Sequence, residues 1–316
     1  MAYGECGMRE IGGYFGLELG EYSPVHDGVF VNSGRNALRY IIRCLGIKKL
    51  HVPNYTCPVV WQAIETEGCS IELYDIDDGF MPIKRFGKDD FIVYNNYFGV
   101  MGKNVAEMAS DYPNLIVDNA QAFYSKQIGR ATFYSPRKFF GVPDGGIAVF
   151  KDLSDDLHLS LETDISIDRV SHLVKRIEFD AEAGYQDFKA SSKAISELPV
   201  KRVSKLTLAL MGSINTVSAA EKRRRNFDFF QEHLPTSFQF AMAEDDVPMV
   251  YPYMTDDPHL RKRLIQQKIF VASYWPDVQH CGNLPKRILP LPIDQRYNLS
   301  DMRYLLDILI GMREEL

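Results

Sequence analysis

Residues 33–118 carry one repeating signal, a short apolar strand followed by a turn and an amphipathic helix, and this limits the possible folds more than any other feature. Ser33 is a good helix cap. Leu38, Ile41, Ile42 and Leu45 follow it at i, i+3, i+4, i+7 spacing, and Gly46 is a good stop. Residues 48–53 then read as a strand. Pro58 suits the first turn of a helix that runs to 67 and ends at Gly68. Further strands are expected at 69–76, 90–97 and 114–118, with a short helix over 103–112 closed by Pro113. Strand and helix in alternation predict a mainly parallel sheet with helices on both faces, the α/β class.

Beyond 118 the rhythm changes. Residues 131–134 and 146–150 read as strands separated by a tight loop. From 155 to 233 the chain is helical and charged, and the run Lys222, Arg223, Arg224, Arg225 is expected on a solvated helix face or at a subunit contact. Strands return at 249–253 and 269–274, accompanied by helices over 258–267 and 299–312. The Pro-rich run 289–297 is expected to join and pack elements. The chain has 316 residues, about two domains at roughly 150 residues each. The division expected is a large domain over 1–210 and a small α/β domain over 211–316.

Charge and cysteines exclude some partners. Lys and Arg total 36 against 42 Asp and Glu, a net charge of −6. No basic excess exists for nucleic acid or an anionic membrane. No apolar run approaches the roughly 20 residues of a membrane span. The first 20 residues lack the basic start and apolar core of a signal peptide. The five cysteines, Cys6, Cys44, Cys57, Cys69 and Cys281, are odd in number and lack CxxC spacing. A disulfide framework and a zinc site are not indicated, and a reducing cytoplasm is expected. The seven histidines are scattered, without ligand spacing.

Ligands of open α/β sheets bind beyond the carboxyl ends of the strands. Neither a GxGxxG nor a GxxxxGK[ST] string occurs there. Three other features do. Asn32-Ser33-Gly34-Arg35-Asn36-Ala37-Leu38 opens a helix whose free N–H groups suit a phosphate. Val117-Asp118-Asn119-Ala120-Gln121 places a carboxylate at the end of a buried strand, where it needs a partner. Thr132-Phe133-Tyr134-Ser135-Pro136-Arg137-Lys138, with Asp144-Gly145-Gly146, puts a serine and a lysine in the loop between two strands. Each alone has an ordinary reading: a helix cap, a turn aspartate, a surface lysine. Together they supply a phosphate cup, a carboxylate for a pyridine nitrogen and a lysine for a Schiff base, the needs of pyridoxal 5′-phosphate.

In these motifs the sequence resembles the DegT/DnrJ/EryC1/StrS-type sugar aminotransferases, fold type I of the pyridoxal-phosphate enzymes. The family string Ser-Gly-Thr-x-Ala-Leu is met by Ser33-Gly34-Arg35-Asn36-Ala37-Leu38, and Asp-x-Ala-Gln by Asp118, Ala120 and Gln121. The lysine motif is met loosely by Phe133, Ser135, Lys138, Asp144, Gly145 and Gly146. The resemblance covers residues 30–150 by motif. It implies that Lys138 carries the cofactor and moves a proton, with Lys126 as the rival lysine. It further implies that Asp118 keeps the ring nitrogen protonated and that Gln121 bonds the phenolic oxygen. Ser33, the amides of Gly34 and Arg35, and Ser135 would hold the phosphate. The implied partners are an amino donor such as glutamate, a keto-sugar acceptor (nucleotide-linked) and a second copy of the chain.

The sequence departs from the family in four places. Arg35 replaces a threonine. Cys57 stands after Pro53-Asn54-Tyr55-Thr56, where relatives place an aromatic on the cofactor face, which leaves Tyr55 or Tyr97 to supply it or Cys57 as a packed thiol. A Gly-x-Asn-x-Arg string, which relatives use across the subunit boundary, is missing, and the chain is short for the family. Arg35 is therefore expected to anchor phosphate within its own chain, where relatives draw that anchor from a neighbour. Tyr274, Trp275 and Arg296 are candidates for substrate contact. A sugar dehydratase of the same fold is disfavoured by Lys138, since such relatives carry histidine there. A non-catalytic cofactor- or sugar-binding sensor or assembly protein is the remaining alternative.

Overall fold

Local caps and apolar spacing account for the first elements. In the computed structural model, which describes residues 12–151, 160–234, 240–276, 278 and 287–314, helix α1 spans Gly34–Leu45. The Ser33 hydroxyl accepts from the Asn36 amide at 3.1 Å, and Gly46 ends the helix as predicted. Leu38, Ile41 and Ile42 are buried. Strands β2 (Lys49–Pro53), β3 (Ser70–Tyr74), β4 (Ile92–Asn95) and β5 (Leu115–Asn119) fall where the sequence puts them, as do α2 (Pro58–Thr66) and α3 (Gly102–Asp111). Strands β6 (Ala131–Tyr134) and β7 (Gly146–Phe150) follow. A three-residue strand β1, Val29–Val31, precedes α1 and is too short to carry a readable period.

These strands form one seven-stranded sheet in the order β1-β7-β6-β5-β4-β2-β3. From β3 to β6 neighbours are parallel, while β7 runs antiparallel to both β6 and β1. Because side chains alternate along a strand, Val93 and Ile116 face one side with Leu38, Ile41, Leu50 and Val52. Tyr94 and Val117 face the other.

The second face is covered by the C-terminal third of the chain. Helix α7 (Thr216–His233), strands β8 (Val250–Met254) and β9 (Ile288–Pro292) and helix α9 (Leu299–Glu314) supply the cover. Phe227, Phe230, Tyr251, Leu289 and Leu291 join Tyr55, Tyr97, Phe98 and Val117 in one apolar core. The intervening helices are α4 (Ser171–Glu178), α5 (Tyr185–Glu197) and α6 (Lys205–Gly212), and α8 (Leu260–Gln266) follows β8.

The charged stretch 155–233 is helical as expected, in several helices separated by turns, and 152–159 lies outside the described residues. Three other expectations need correction. Residues 269–274 form no strand. Instead the Pro-rich run supplies β9, paired antiparallel to β8 with Pro252 opposite Pro290. Neither proline has an N–H, so this pair occupies a site where opposite residues exchange no ladder bonds, which a two-stranded ribbon permits. The basic run is not uniformly solvated: Lys222 and Arg225 are exposed, but Arg223 is 2% exposed. It shares the helix face of Asn226, Phe227 and Phe230, at i+3, i+4 and i+7. Cys6, Cys281, His158, His280 and most of the first 20 residues' signal lie outside the described residues. Cys44, Cys57 and Cys69 are free thiols. Among the described residues no helix is long and apolar enough to cross a membrane.

Candidate active site

The parallel strands and the entry to α1 bring the predicted residues to one edge of the sheet. Asp118 and Asn119 end β5, Ser135 follows β6, and Ser33 follows β1. Since β7 runs the other way, its first residue, Gly146, and the preceding Gly145 lie at the same edge. Ser33 bridges to Gly145, and the Gly145 amide donates to the Asn32 carbonyl at 3.1 Å. The packing there leaves no room for a side chain. A Cβ on Gly146 would lie 2.1 Å from the Ser33 carbonyl oxygen, and one on Gly34 would lie 3.0 Å from Cβ of Ser135. The first-turn amides of Gly34 and Arg35 precede the helix's own hydrogen bonding, so they are open to an anion beside the Ser135 hydroxyl.

Two buried groups at this edge lack the partners their chemistry requires. The Asp118 carboxylate is buried and accepts from the Ala120 amide at 2.8 Å. Burial pushes its pKa up, against the opposing charge of Lys138 and the Ala120 bond. Among the described residues it has no ion pair. Gln121 is also buried. Its Oε1 accepts from the Phe98 amide at 2.8 Å, which fixes the amide plane, while its Nε2 has no acceptor among the described residues. A buried donor and a buried carboxylate three residues apart fit a flat ring that presents an acceptor oxygen and a protonated nitrogen. Pyridoxal phosphate is such a ring, and its phosphate suits the α1 entrance.

Lys138 ends a 3₁₀ turn, Pro136–Lys138, and is exposed. Its amide donates to the Ser135 carbonyl at 3.1 Å, and its charge is felt at Asp118. Lys126 points elsewhere: it is 81% exposed and pairs with Asp245 at 3.0 Å. Arg35 Nη1 donates to the Ser196 carbonyl at 2.6 Å, near the end of α5, a contact the sequence did not signal. Burial lowers the Arg35 pKa. Tyr55 and Tyr97 are wholly buried and stacked on each other with centroids 5.6 Å apart. Trp275 meets Tyr55 edge-on at 4.9 Å. The structure thus places both tyrosines inside the aromatic core. Cys57 is partly buried at the cap of α2.

No protein-family model and no curated protein matches the sequence. Solved structures do match. DesV of S. venezuelae, solved in complex with a ketimine intermediate, aligns at TM-score 0.63 and 17% identity over 92% of this chain and 85% of that one. A DegT DnrJ EryC1 StrS aminotransferase from Brucella abortus aligns at 0.58 and 15% identity, over 91% and 86%. DesI, solved in the presence of its TDP-sugar product, aligns at 0.59 and 16% identity, over 90% and 80%. The chain shares the fold of these solved structures. The fold expected from the motifs, type I of the pyridoxal-phosphate enzymes, is therefore the one observed.

Within that fold, several residues have contacts to which the sequence assigned no role. Asp144 is fully buried behind the glycine pair. It accepts from Thr207, from Ser204 at 3.3 Å and from Arg169 at 3.0 Å. Arg169 also meets Asp164 at 2.7 Å. This network ties the 144–146 loop to α6. His26, one of the scattered histidines, stacks on Tyr134 at 3.9 Å, and burial lowers its pKa. Arg223 and Gln295 reach the Phe139 carbonyl from the C-terminal third. A cavity of about 990 Å³ lies between α4–α5 and the C-terminal third, with Arg176, Phe188, Arg261, Lys268 and Arg296 among its lining residues. Phe188 also carries the Arg137 guanidinium 5.8 Å over its ring, beside Lys138.

Proposed function

We propose that the chain is a pyridoxal 5′-phosphate-dependent aminotransferase that moves an amino group from an amino acid, glutamate by preference, to a nucleotide-linked keto sugar. The observation that carries the proposal is the pair of unmet buried groups, the Asp118 carboxylate and Gln121 Nε2, on one strand end beside the α1 entrance. The cofactor, when bound, supplies an electron sink for the donor's α-carbon. The chain's residues do the rest. Gly34, Arg35, Ser33 and Ser135 hold the phosphate. Asp118 holds a proton at the ring nitrogen, a favourable task for a carboxylate that burial otherwise penalises. Gln121 Nε2 donates to the phenolic oxygen. Lys138 holds the cofactor covalently and then, as a free amine, carries the α-proton.

Arg176, Arg261 and Phe188 in the cavity lining support an anionic, ring-bearing acceptor, whereas Arg296, the candidate contact read from the sequence, is paired with Asp294 and Lys268 with Glu182. Exposed Ile165, Ile167, Val174, Ile177 and Phe179, all within one stretch of 15 residues, support a second copy as partner. The test is spectroscopic. Purified protein given cofactor develops a yellow band that borohydride bleaches, Lys138→Ala abolishes the band, and glutamate passes nitrogen to a keto sugar. A wild type without a reducible band refutes the cofactor role. A band without any amino transfer marks a binder rather than an enzyme.

A further inference from the structure

Arg223 is a buried cation on α7 for which the described residues offer no ion pair. Its guanidinium donates instead to neutral oxygens, with the charge of the Asp294 carboxylate felt there. Nη1 donates to the Met249 carbonyl at 2.9 Å, Nη2 to the Phe139 carbonyl at 3.3 Å, and Nε to Gln295 Oε1 at 2.8 Å. Gln295 in turn donates from Nε2 to the same Phe139 carbonyl at 2.7 Å. The guanidinium lies 4.6 Å over the Phe139 ring. Two side chains from the C-terminal third thus converge on the carbonyl of the residue next to Lys138. Such a carbonyl closes a short turn whose own bonds are few: Lys138 to Ser135, and Phe139 and Phe140 to Pro136.

The contact continues to the other side of the proposed ring. Met249, whose carbonyl takes Arg223 Nη1, donates its amide to the Phe98 carbonyl at 2.8 Å. Phe98 in turn donates its amide to Gln121 Oε1. Phe98 has φ 59 and ψ 2, a left-handed conformation that a bulky residue holds only when its surroundings impose it. One hydrogen-bonded path therefore runs Gln121–Phe98–Met249–Arg223–Phe139, and Phe139 is bonded to Lys138. A desolvated cation is costly to retain, and here its donors go to the backbone points that set the spacing of two site residues.

We propose that Arg223, acting with Gln295, is a positioning residue that fixes the Lys138 turn relative to Gln121. The inference rests on the cofactor reading above, in which Lys138 and Gln121 serve neighbouring substituents of one ring, the C4′ carbon and the phenolic oxygen. The C-terminal third then does more than cover the sheet: it holds the lysine in register with the ring.

Gln295→Glu is the discriminating variant. It keeps the volume and the acceptor for Arg223 Nε, and adds an opposite charge, so folding stability is retained. It replaces the donor to Phe139 with an oxygen that repels the carbonyl. Expected are an unchanged or raised melting temperature, faster hydrogen exchange at the amides of 138–140 in cofactor-free protein, and a fall of about tenfold in the rate at which the borohydride-reducible band forms. Arg223→Lys, which keeps the charge but loses the fork, is expected to slow band formation at least as much. Folded Gln295→Glu with wild-type exchange and wild-type band formation overturns the proposal. If wild type forms no reducible band, the cofactor reading fails on its own. Exchange at 138–140 then still decides whether the clamp exists, and unchanged exchange overturns it.

Discussion

Asp118→Asn separates the cost of the site from its use. In the cofactor-free protein Asp118 is a desolvated carboxylate whose Oδ1 takes the Ala120 amide at 2.8 Å. Asparagine preserves that acceptor and volume while removing the charge. A buried group without its partner costs about 1–3 kcal/mol, so the variant is expected to be more stable by about that amount at neutral pH. For 316 residues unfolding entropy is about 0.66 kcal/mol/K at roughly 2.1 cal/mol/K per residue, so 1 kcal/mol moves the melting temperature by about 1.5 °C. The expected rise is therefore about 1.5–4.5 °C. Its pH dependence has a definite sign. The folded-state pKa of Asp118 is raised, so its contribution is fully present below the ordinary carboxylate value of about 3.9 and is lost as pH rises through the raised value. Wild type and variant should melt together near pH 4 and separate at higher pH. Cofactor retention should move the opposite way, weakening about ten- to a hundredfold as a charge-assisted bond is lost. Scanning calorimetry of cofactor-free protein from acid to neutral pH and a spectroscopic cofactor titration measure both. A cofactor-free variant less stable than wild type at neutral pH, or one with undiminished retention, would refute the reasoning.

Other perturbations separate local roles. Gln121→Glu keeps the acceptor for the Phe98 amide but puts a desolvated carboxylate oxygen where the buried donor was; cofactor affinity should fall about tenfold and the cofactor-free protein should lose about 1–3 kcal/mol at neutral pH, as read by absorbance titration and calorimetry. Gly146→Ala would set a Cβ 2.1 Å from the Ser33 carbonyl; since that neighbour is backbone, the loop must move. A loss of over 2 kcal/mol together with impaired phosphate binding is expected, on the scale of overpacking, and wild-type urea unfolding would contradict it. Arg35→Thr removes the bond to Ser196 and should cost about 1 kcal/mol. If Arg35 also anchors phosphate, cofactor affinity drops with it, whereas unchanged affinity leaves Arg35 only its tie to α5.

The site divides by how far its determinants reach along the chain. Ser33, Gly34 and Ala37-Leu38 were legible because a helix cap and an apolar stripe are written within a dozen residues. Asp118 was legible because a carboxylate closing an apolar strand is locally anomalous. The order of the motifs then implied that strand ends would gather them, and the parallel sheet does so. Arg223 looked like part of a solvated basic run because charge is read residue by residue. The signal that could have identified it was its place on the helix face of Phe227 and Phe230. Residues 289–293 looked like a linker because proline blocks ladder bonds, yet a two-stranded ribbon leaves half of each strand's N–H sites unused.

By itself, the sequence determined the α/β class, the caps and bounds of the first helices and strands, and the residue types at the strand ends. These follow from periods of two and 3.6 and from local capping, which need only neighbouring residues. Tertiary structure alone decided which groups are left without partners. Among the described residues Gln121 Nε2 has no acceptor, while its Oε1 takes the Phe98 amide. The Lys138 charge is felt at Asp118, while Lys126, the rival lysine in the sequence, pairs with Asp245. Arg223 is buried among carbonyls from residues 139 and 249, far apart in the chain. Desolvation depends on everything that packs around a group, and that packing exists only once distant segments have met.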